Sequence, residues 1–363
     1  MAYRSRYAPP KPSVGRRTSP WRIFLPTGVL LVLFAGLGGF WAYATWRVGQ
    51  ELDALLAREA AHGRQWDCPS RTIGGFPFRI EVSCERPSFS GAPGGVSTQG
   101  EVARFVAVAQ IQSPNHVIIE VDGPLVVTDV GGRRLDLSWD LLRGSLEGRP
   151  DQLDQLALEM TNPRLKLTGT GGFDMTAEGA MVDFHMRRTP GRPPEERAYD
   201  VASRGTALRI PAVERLVGGA EPLDADLVAT VLQVEPLAAR TPAQNLERWR
   251  LAGGKVQVSK LVLAQGPRRL DATGILGLDE LHRAQGRLDV TVAGVDDLLQ
   301  QFGLSPRAAT LGTIIAGVLG GRPKAGQAEA AEKPPGGVVL PLRLDDGKAF
   351  LGPLPVARLL PLY

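Results

Sequence analysis

The chain has 363 residues, 43% hydrophobic and 22% charged, with 42 Lys and Arg against 38 Asp and Glu for a net charge of +4. It is long enough to bury a sizeable core, and its composition is globular rather than disordered or fibrous. The positive balance does not describe a nucleic-acid-binding body: Arg4, Arg6, Lys11, Arg16, Arg17 and Arg22 lie in the first 22 residues, and removing those six leaves 36 cations against 38 carboxylates, whereas a nucleic-acid binder needs a basic face on its folded part.

Ile23 to Tyr43, IFLPTGVLLVLFAGLGGFWAY, carries no charge over 21 residues. A helix of ~20 such residues crosses the ~30 Å hydrocarbon layer of a bilayer. Trp21, Trp41, Tyr43 and Trp46 stand at its ends, where amphipathic rings favour the interface. Cations precede it, and Arg47, Glu51 and Asp53 follow. The positive-inside rule predicts a cytoplasmic N-terminus and residues 47–363 across the membrane, in the periplasm if the cell is Gram-negative. A cleaved signal peptide is the competing reading. Ala42-Tyr43-Ala44 fits its cleavage site loosely, but the apolar run is long for one. Arg47 to Gln65 carries Leu52, Leu55, Leu56 and Ala60 at helical spacing and predicts a stalk.

The only two cysteines, Cys68 and Cys84, then enclose PSRTIGGFPFRIEVS. In an exported compartment they read as one disulfide rather than a free pair or a metal clip. His62, His116, His185 and His282 are scattered, without the paired spacing of a metal site. Inside the loop, Arg71–Ile73 and Phe78–Val82 predict a hairpin turning at Gly74-Gly75, with Pro77 holding Phe76 extended. Phe76 and Phe78 are expected to pack in the core.

Beyond Phe89 the dominant period is two, the mark of strands with one buried face. The strands expected are 101–111 and 116–130, joined at Ser113-Pro114-Asn115, then 133–139, 153–160, 163–169, 172–179 and 180–188. A Pro-rich patch over 187–197 is a candidate boundary. The sheet resumes at 205–211 and 223–234. Residues 241–254 predict a helix with Thr241 as N-cap, Pro242 in its first turn and a Gly stop. Strands at 255–265, 268–280 and 286–295 form a meander, followed by helices at 296–304 and 308–321. A low-complexity stretch and a hairpin with an Asp346-Gly347 turn close the chain.

The expected organisation is a basic cytoplasmic tail (1–22), a transmembrane anchor (23–46) and a helical stalk (47–65). A first β-sheet half (66–186), a Pro-rich loop (187–198) and a second half with short helices (199–321) follow. A low-complexity loop (322–337) and a C-terminal hairpin and tail (338–363) complete it. The fold class is mainly β with a few helices: a long, curved, groove-like antiparallel sheet behind a membrane helix.

No nucleotide fingerprint, nucleophile elbow, H-E-x-x-H or EF-hand loop occurs. The acid pairs Asp296-Asp297 and Asp345-Asp346 sit at a helix start and in a turn. No catalytic residue, metal ligand or cofactor is therefore expected, and no enzymatic activity.

The segment IGGFPFRIEVSC behind a single anchor, the meander from Val258 to Leu299 and the ending LPLRLDDGKAFLGPLPVARLLPLY together resemble the Gram-negative bacterial family termed domain of unknown function 2125. Gly74, Gly75, Phe76, Pro77, Phe78 and Arg79 are the most specific element of that likeness. The family brings no activity to transfer. The meander is also similar to AsmA-like envelope proteins, inner-membrane-anchored proteins whose long β-grooves are implicated in lipid handling. The resemblance implies a lipid or amphiphile ligand held on an apolar sheet face, with the inner membrane as partner. The alternative is a non-enzymatic scaffold for an envelope protein partner.

Overall fold

The structure, a computed structural model, describes residues 21–92, 96–149, 152–170, 172, 174–211, 214, 221–235, 241–294, 338–352 and 354–363. The basic tail up to residue 20, the helices expected over 296–304 and 308–321, and the low-complexity stretch 322–337 lie outside the described residues.

Anchor and stalk form one helix, α1 (Trp21–Ala61), 41 residues long and therefore about 60 Å. It is long and apolar enough to cross a membrane, and Trp21 and Val32 are 75% and 72% exposed. Its other half is amphipathic. Gly38, Trp41, Thr45, Gly49, Leu52 and Leu56, spaced three and four apart, make a half-buried stripe that faces the β-domain. The helix ends at Ala61, short of the expected residue 65, because Gly63 takes φ +75 and the chain turns into a strand.

In chain order the strands are β1 (Arg64–Asp67), β2 (Thr72–Gly74), β3 (Arg79–Glu85), β4 (Ser88–Gly91), β5 (Thr98–Glu101), β6 (Arg104–Gln110), β7 (Ser113–Asp122) and β8 (Leu125–Asp129). They continue with β9 (Arg134–Ser138), β10 (Leu141–Arg149), β11 (Gln152–Thr161), β12 (Arg164–Thr168), β13 (Asp174–Glu178), β14 (Met181–Arg188), β15 (Tyr199–Leu208) and β16 (Leu223–Val231). After helix α2 (Pro242–Leu251) come β17 (Val256–Gln265), β18 (Arg268–Leu278), β19 (Ala284–Ala293), β20 (Val338–Asp345), β21 (Lys348–Leu351) and β22 (Leu354–Arg358).

Among the described residues these strands form two antiparallel sheets, neither closed into a barrel. The short sheet has the order β1-β4-β5-β8-β9-β12-β13, and the 15-stranded long sheet runs β2-β3-β6-β7-β10-β11-β14-β15 and then in sequence to β22. The two are joined along a corner. The chain first passes between the sheets over residues 68–71, from β1 to β2, and then crosses the corner at residues 86–87, 102–103, 123–124, 139–140, 162–163 and 179–180, each of these six times with two residues outside the ladders. Hydrogen bonds continue through the bend, for example Val102 N to Pro87 O (3.2 Å) and Asn162 N to Ala180 O (2.8 Å). Trp139 fills the corner: its indole N–H donates to Val121 O at 2.8 Å, and its ring lies against the bare Cα of Gly123.

The corner changes several expected elements. The runs 101–111 and 116–130 each divide into one strand per sheet; the second breaks at Gly123-Pro124, where Pro124 offers no N–H to a ladder, and the first at Val102-Ala103, where no proline stands. Ser113-Pro114-Asn115 opens β7 instead of forming a turn; the reversal falls at Ile111-Gln112. Pro114 is tolerated there because β10 pairs with β7 only from His116 onward, leaving no ladder bond for it to break. The Pro-rich patch joins β14 to β15, which pair from Met181↔Thr206 to Arg188↔Tyr199, so the long sheet runs without interruption from the first expected half into the second.

α2 forms where expected. Thr241 accepts from Gln244 N and the Gln244 side chain answers to Thr241 N, a complete capping box. The chain leaves α2 past Gly253 at φ +75. The tightest packing lies on β17–β19, where Val258, Ala272, Leu288 and Val290 are buried.

Candidate functional site

Alternation along each long-sheet strand sends one set of side chains to each face, and the registers align those sets into rows. The central row of one face reads Val82, Ala107, Ile119, Gly144, Leu158, Phe184, Ser203, Leu227, Leu261, Ala272, Val290, Leu340. A neighbouring row reads Ile80, Ala109, Val117, Leu146, Leu156, Met186, Val201, Ala229, Val258, Gly274, Leu288, Leu342. Twelve strands at ~4.8 Å spacing make an apolar floor about 50 Å long. Its side chains are mostly half-buried, and no large side chain among the described residues is fully buried.

The floor is covered at both ends. At the first, Leu52, Leu55 and Leu56 of α1 lie over Val82, Phe105 and Val121, with Trp66 and Phe89 of the short sheet opposite, around an apolar cavity of about 550 Å³. The apolar faces of the two sheets therefore look toward one another across the corner. At the far end Leu246 and Trp249 of α2 join Val256, Leu276, Leu278 and Leu362 around about 480 Å³. Trp249 is fixed by a 2.8 Å bond from its indole N–H to Leu232 O.

The far cover is held by a polar clamp. The Tyr363 hydroxyl donates to Glu247 at 2.9 Å, and the Tyr363 ring stacks on His282 at 4.4 Å. Arg250 donates to both carboxylate oxygens of Glu247, at 2.8 and 2.7 Å. The Arg250 guanidinium foremost, then the Tyr363 hydroxyl, pull Glu247 down to about 2.

The opposite face of the long sheet is polar. A concavity of about 820 Å³ there is lined in part by His116, Ser145, Glu159, His185, Arg204 and Lys260. Its charges are matched across strands: Arg143 with Glu159 at 3.0 Å, Arg204 with Asp226 at 3.7 Å and Lys260 also with Asp226. This is the pattern of a solvated sheet face with opposite charges paired. Among the described residues no three His, Cys, Asp or Glu side chains cluster as a metal site requires.

The two cysteines are bonded, with Cα atoms 5.7 Å apart. Cys68 follows β1 of the short sheet and Cys84 lies in β3 of the long one, so the bond also ties the sheets together beside α1. β2 and β3 form the expected hairpin. Its turn needs glycine at position 75, where φ is +97 and Arg79 O lies 2.8 Å from where a Cβ would stand. Gly74 ends β2, Phe76-Pro77 is a cis peptide and Arg79 begins β3, pairing with Glu81 at 3.1 Å.

Phe76 and Phe78 are not in the core: they are 43% and 67% exposed. The hairpin is the end of the long sheet and projects along α1, so no second layer closes over it. Phe76 instead meets Phe34 and Trp41 edge-on, at 5.7 and 5.5 Å between ring centroids. Trp41 donates from its indole N–H to Arg79 O at 3.1 Å.

Alternation in the sequence marks which residues share a face. It does not mark the corner, nor the α1 stripe that meets the hairpin, because Gly38 reads simply as part of the apolar run and Gly49 as part of the stalk. No curated protein and no solved structure matches the chain, so the similarity to AsmA-like envelope proteins rests on the pattern of the meander alone. The sequence model of a family described as an uncharacterized protein conserved in bacteria, DUF2125, matches residues 41–359, and the chain belongs to that family.

Proposed function

We propose that the protein is a non-enzymatic, single-pass inner-membrane protein that holds lipid or another amphiphile along its apolar trough. α1 is the span, the N-terminus is cytoplasmic and residues 47–363 are periplasmic. The observation that carries the reading is the half-buried apolar floor across twelve strands, covered by described helices only at its two ends. An apolar surface of that extent marks an interaction site, and each methylene laid on it contributes about 0.8 kcal/mol. The Cys68–Cys84 bond is compatible with an oxidising, exported compartment. Solvent extraction of purified residues 47–363 followed by lipid mass spectrometry tests the reading. Co-purifying lipid in stoichiometric amount is expected. Lipid-free protein that takes up no apolar dye would sink it.

A scaffold role is the second reading, and β22 favours it. Among the described residues this strand pairs only with β21, and Val356 on it is 56% exposed. Its open edge suits β-augmentation by an extended partner segment. Crosslinking in membranes that returned one stoichiometric protein at β22, together with lipid-free protein, would decide for this alternative.

A further inference from the structure

The first hairpin descends along α1 in step. Arg71 pairs with Asp53 at 2.8 Å. Ile73 Cδ1 lies 3.8 Å from where a Cβ on Gly49 would stand, and Phe76 lies 3.9 Å from the same point on Gly38. Gly38 precedes Arg47, the first charge after the apolar run, by nine residues, about 13 Å along the helix axis. Tyr43 and Trp46 stand between them, residues of the kind that gather at the membrane–water boundary. The tip of the hairpin is thus level with the apolar part of α1. From Thr72 to Phe78 it carries no charged side chain. Phe78 at its tip is 67% exposed, and Phe76 is 43% exposed although it packs against α1. Two glycines of α1 leave room for the hairpin to lie flat against the helix.

We propose that the Gly75–Phe78 turn is embedded in the bilayer leaflet on the Arg47 side of α1. It forms a second membrane contact that brings the first strand of the trough to the acyl chains. From the turn, Ile80 and Val82 on β3 lead toward the apolar cavity under Leu52 and Leu56, so lipid has an apolar path between leaflet and trough. The inference rests on α1 being the membrane span; it does not require that the trough be loaded.

The test uses the full-length chain in bacterial membranes, with a benzophenone amino acid replacing Phe78, Val32, Leu158 or Leu281 in turn. Illumination is followed by mass spectrometry for phospholipid adducts. Val32 reports the span, Leu158 the trough floor, and Leu281, 60% exposed on the β-domain, the water-facing background. Adducts at 32 and 78 and none at 281 are expected. Adducts at 32 without any at 78 would overturn the embedded turn and leave the span standing. Loss at both positions would overturn the span reading and this inference together, and equal yields at 78 and 281 would also overturn the turn. The yield at 158 reports trough occupancy separately, so the two proposals fail by different results.

Discussion

Cys68 and Cys84 hold the first strands of both sheets beside α1, and Cys84 is 4% exposed. Closing a loop of ~15 residues contributes about 3 kcal/mol in the chain-entropy account. Urea unfolding of the Cys68→Ser, Cys84→Ser double variant should therefore show about that loss, and reductant should produce the same loss in the parent; an unchanged midpoint in both would refute the role. Glu247 gives a pH prediction. Its folded value lies at about 2 against an ordinary 4.5. A depressed carboxylate stabilises fully above its unfolded value, and the contribution is lost as pH falls through the folded one. The melting-temperature gap between parent and Glu247→Gln should be constant above pH 4.5 and close between 4.5 and 2. A gap that persists at pH 2 would mean the charge on Glu247 is not what holds Tyr363. The cysteine pairing was legible in the sequence, because two cysteines after an export-competent anchor leave one pairing. The Glu247 clamp was not, since its members His282 and Tyr363 come from distant loops and share no spacing.

Elements were legible where a local chemical signal fixes them. Thr241-Pro242 with Gln244 three residues after the cap states a helix start without tertiary help, and α2 begins there. Thr241→Ala should cost about 1 kcal/mol, read as faster hydrogen exchange across α2 with little change in β10–β15; uniform acceleration in both regions would show that α2 does not open independently. The corner had no such signal. Its crossing pairs are Arg86-Pro87, Val102-Ala103, Gly123-Pro124, Trp139-Asp140, Asn162-Pro163 and Gly179-Ala180, and proline appears in only three. Where it is absent, the bend follows from the neighbouring strands, whose hydrogen bonds carry it across the sheet. A strand that reads as ten alternating residues is then divided by its partners rather than by its own composition. The α1 stripe was hidden for a related reason: in the apolar part of the helix the side that meets protein and the exposed side have the same hydropathy.

For the whole molecule, the sheet uses period-two alternation to separate a charge-matched face from an apolar one across twelve strands. Adjacent residues in the middle of β11 belong to opposite faces. Leu158 lies on the apolar floor between Gly144 and Phe184, whereas Ala157 lies on the polar face between Ser145 and His185. The same substitution at these neighbours separates trough chemistry from general damage to the strand. A lysine at 157 enters a face already carrying Arg143 and Glu159, and surface changes of that kind stay within about 0.5 kcal/mol. A lysine at 158 places an ammonium where acyl chains would lie, and a charge without a partner in apolar surroundings is strongly disfavoured. Lipid recovered from purified residues 47–363 should fall to background in Leu158→Lys and remain at the parent level in Ala157→Lys. If the 158 variant folds, as judged by a cooperative thermal transition, and still carries the parent's lipid, the ligand does not lie on this floor. Equal loss in both variants would instead trace the lipid to the integrity of β11 rather than to its apolar face.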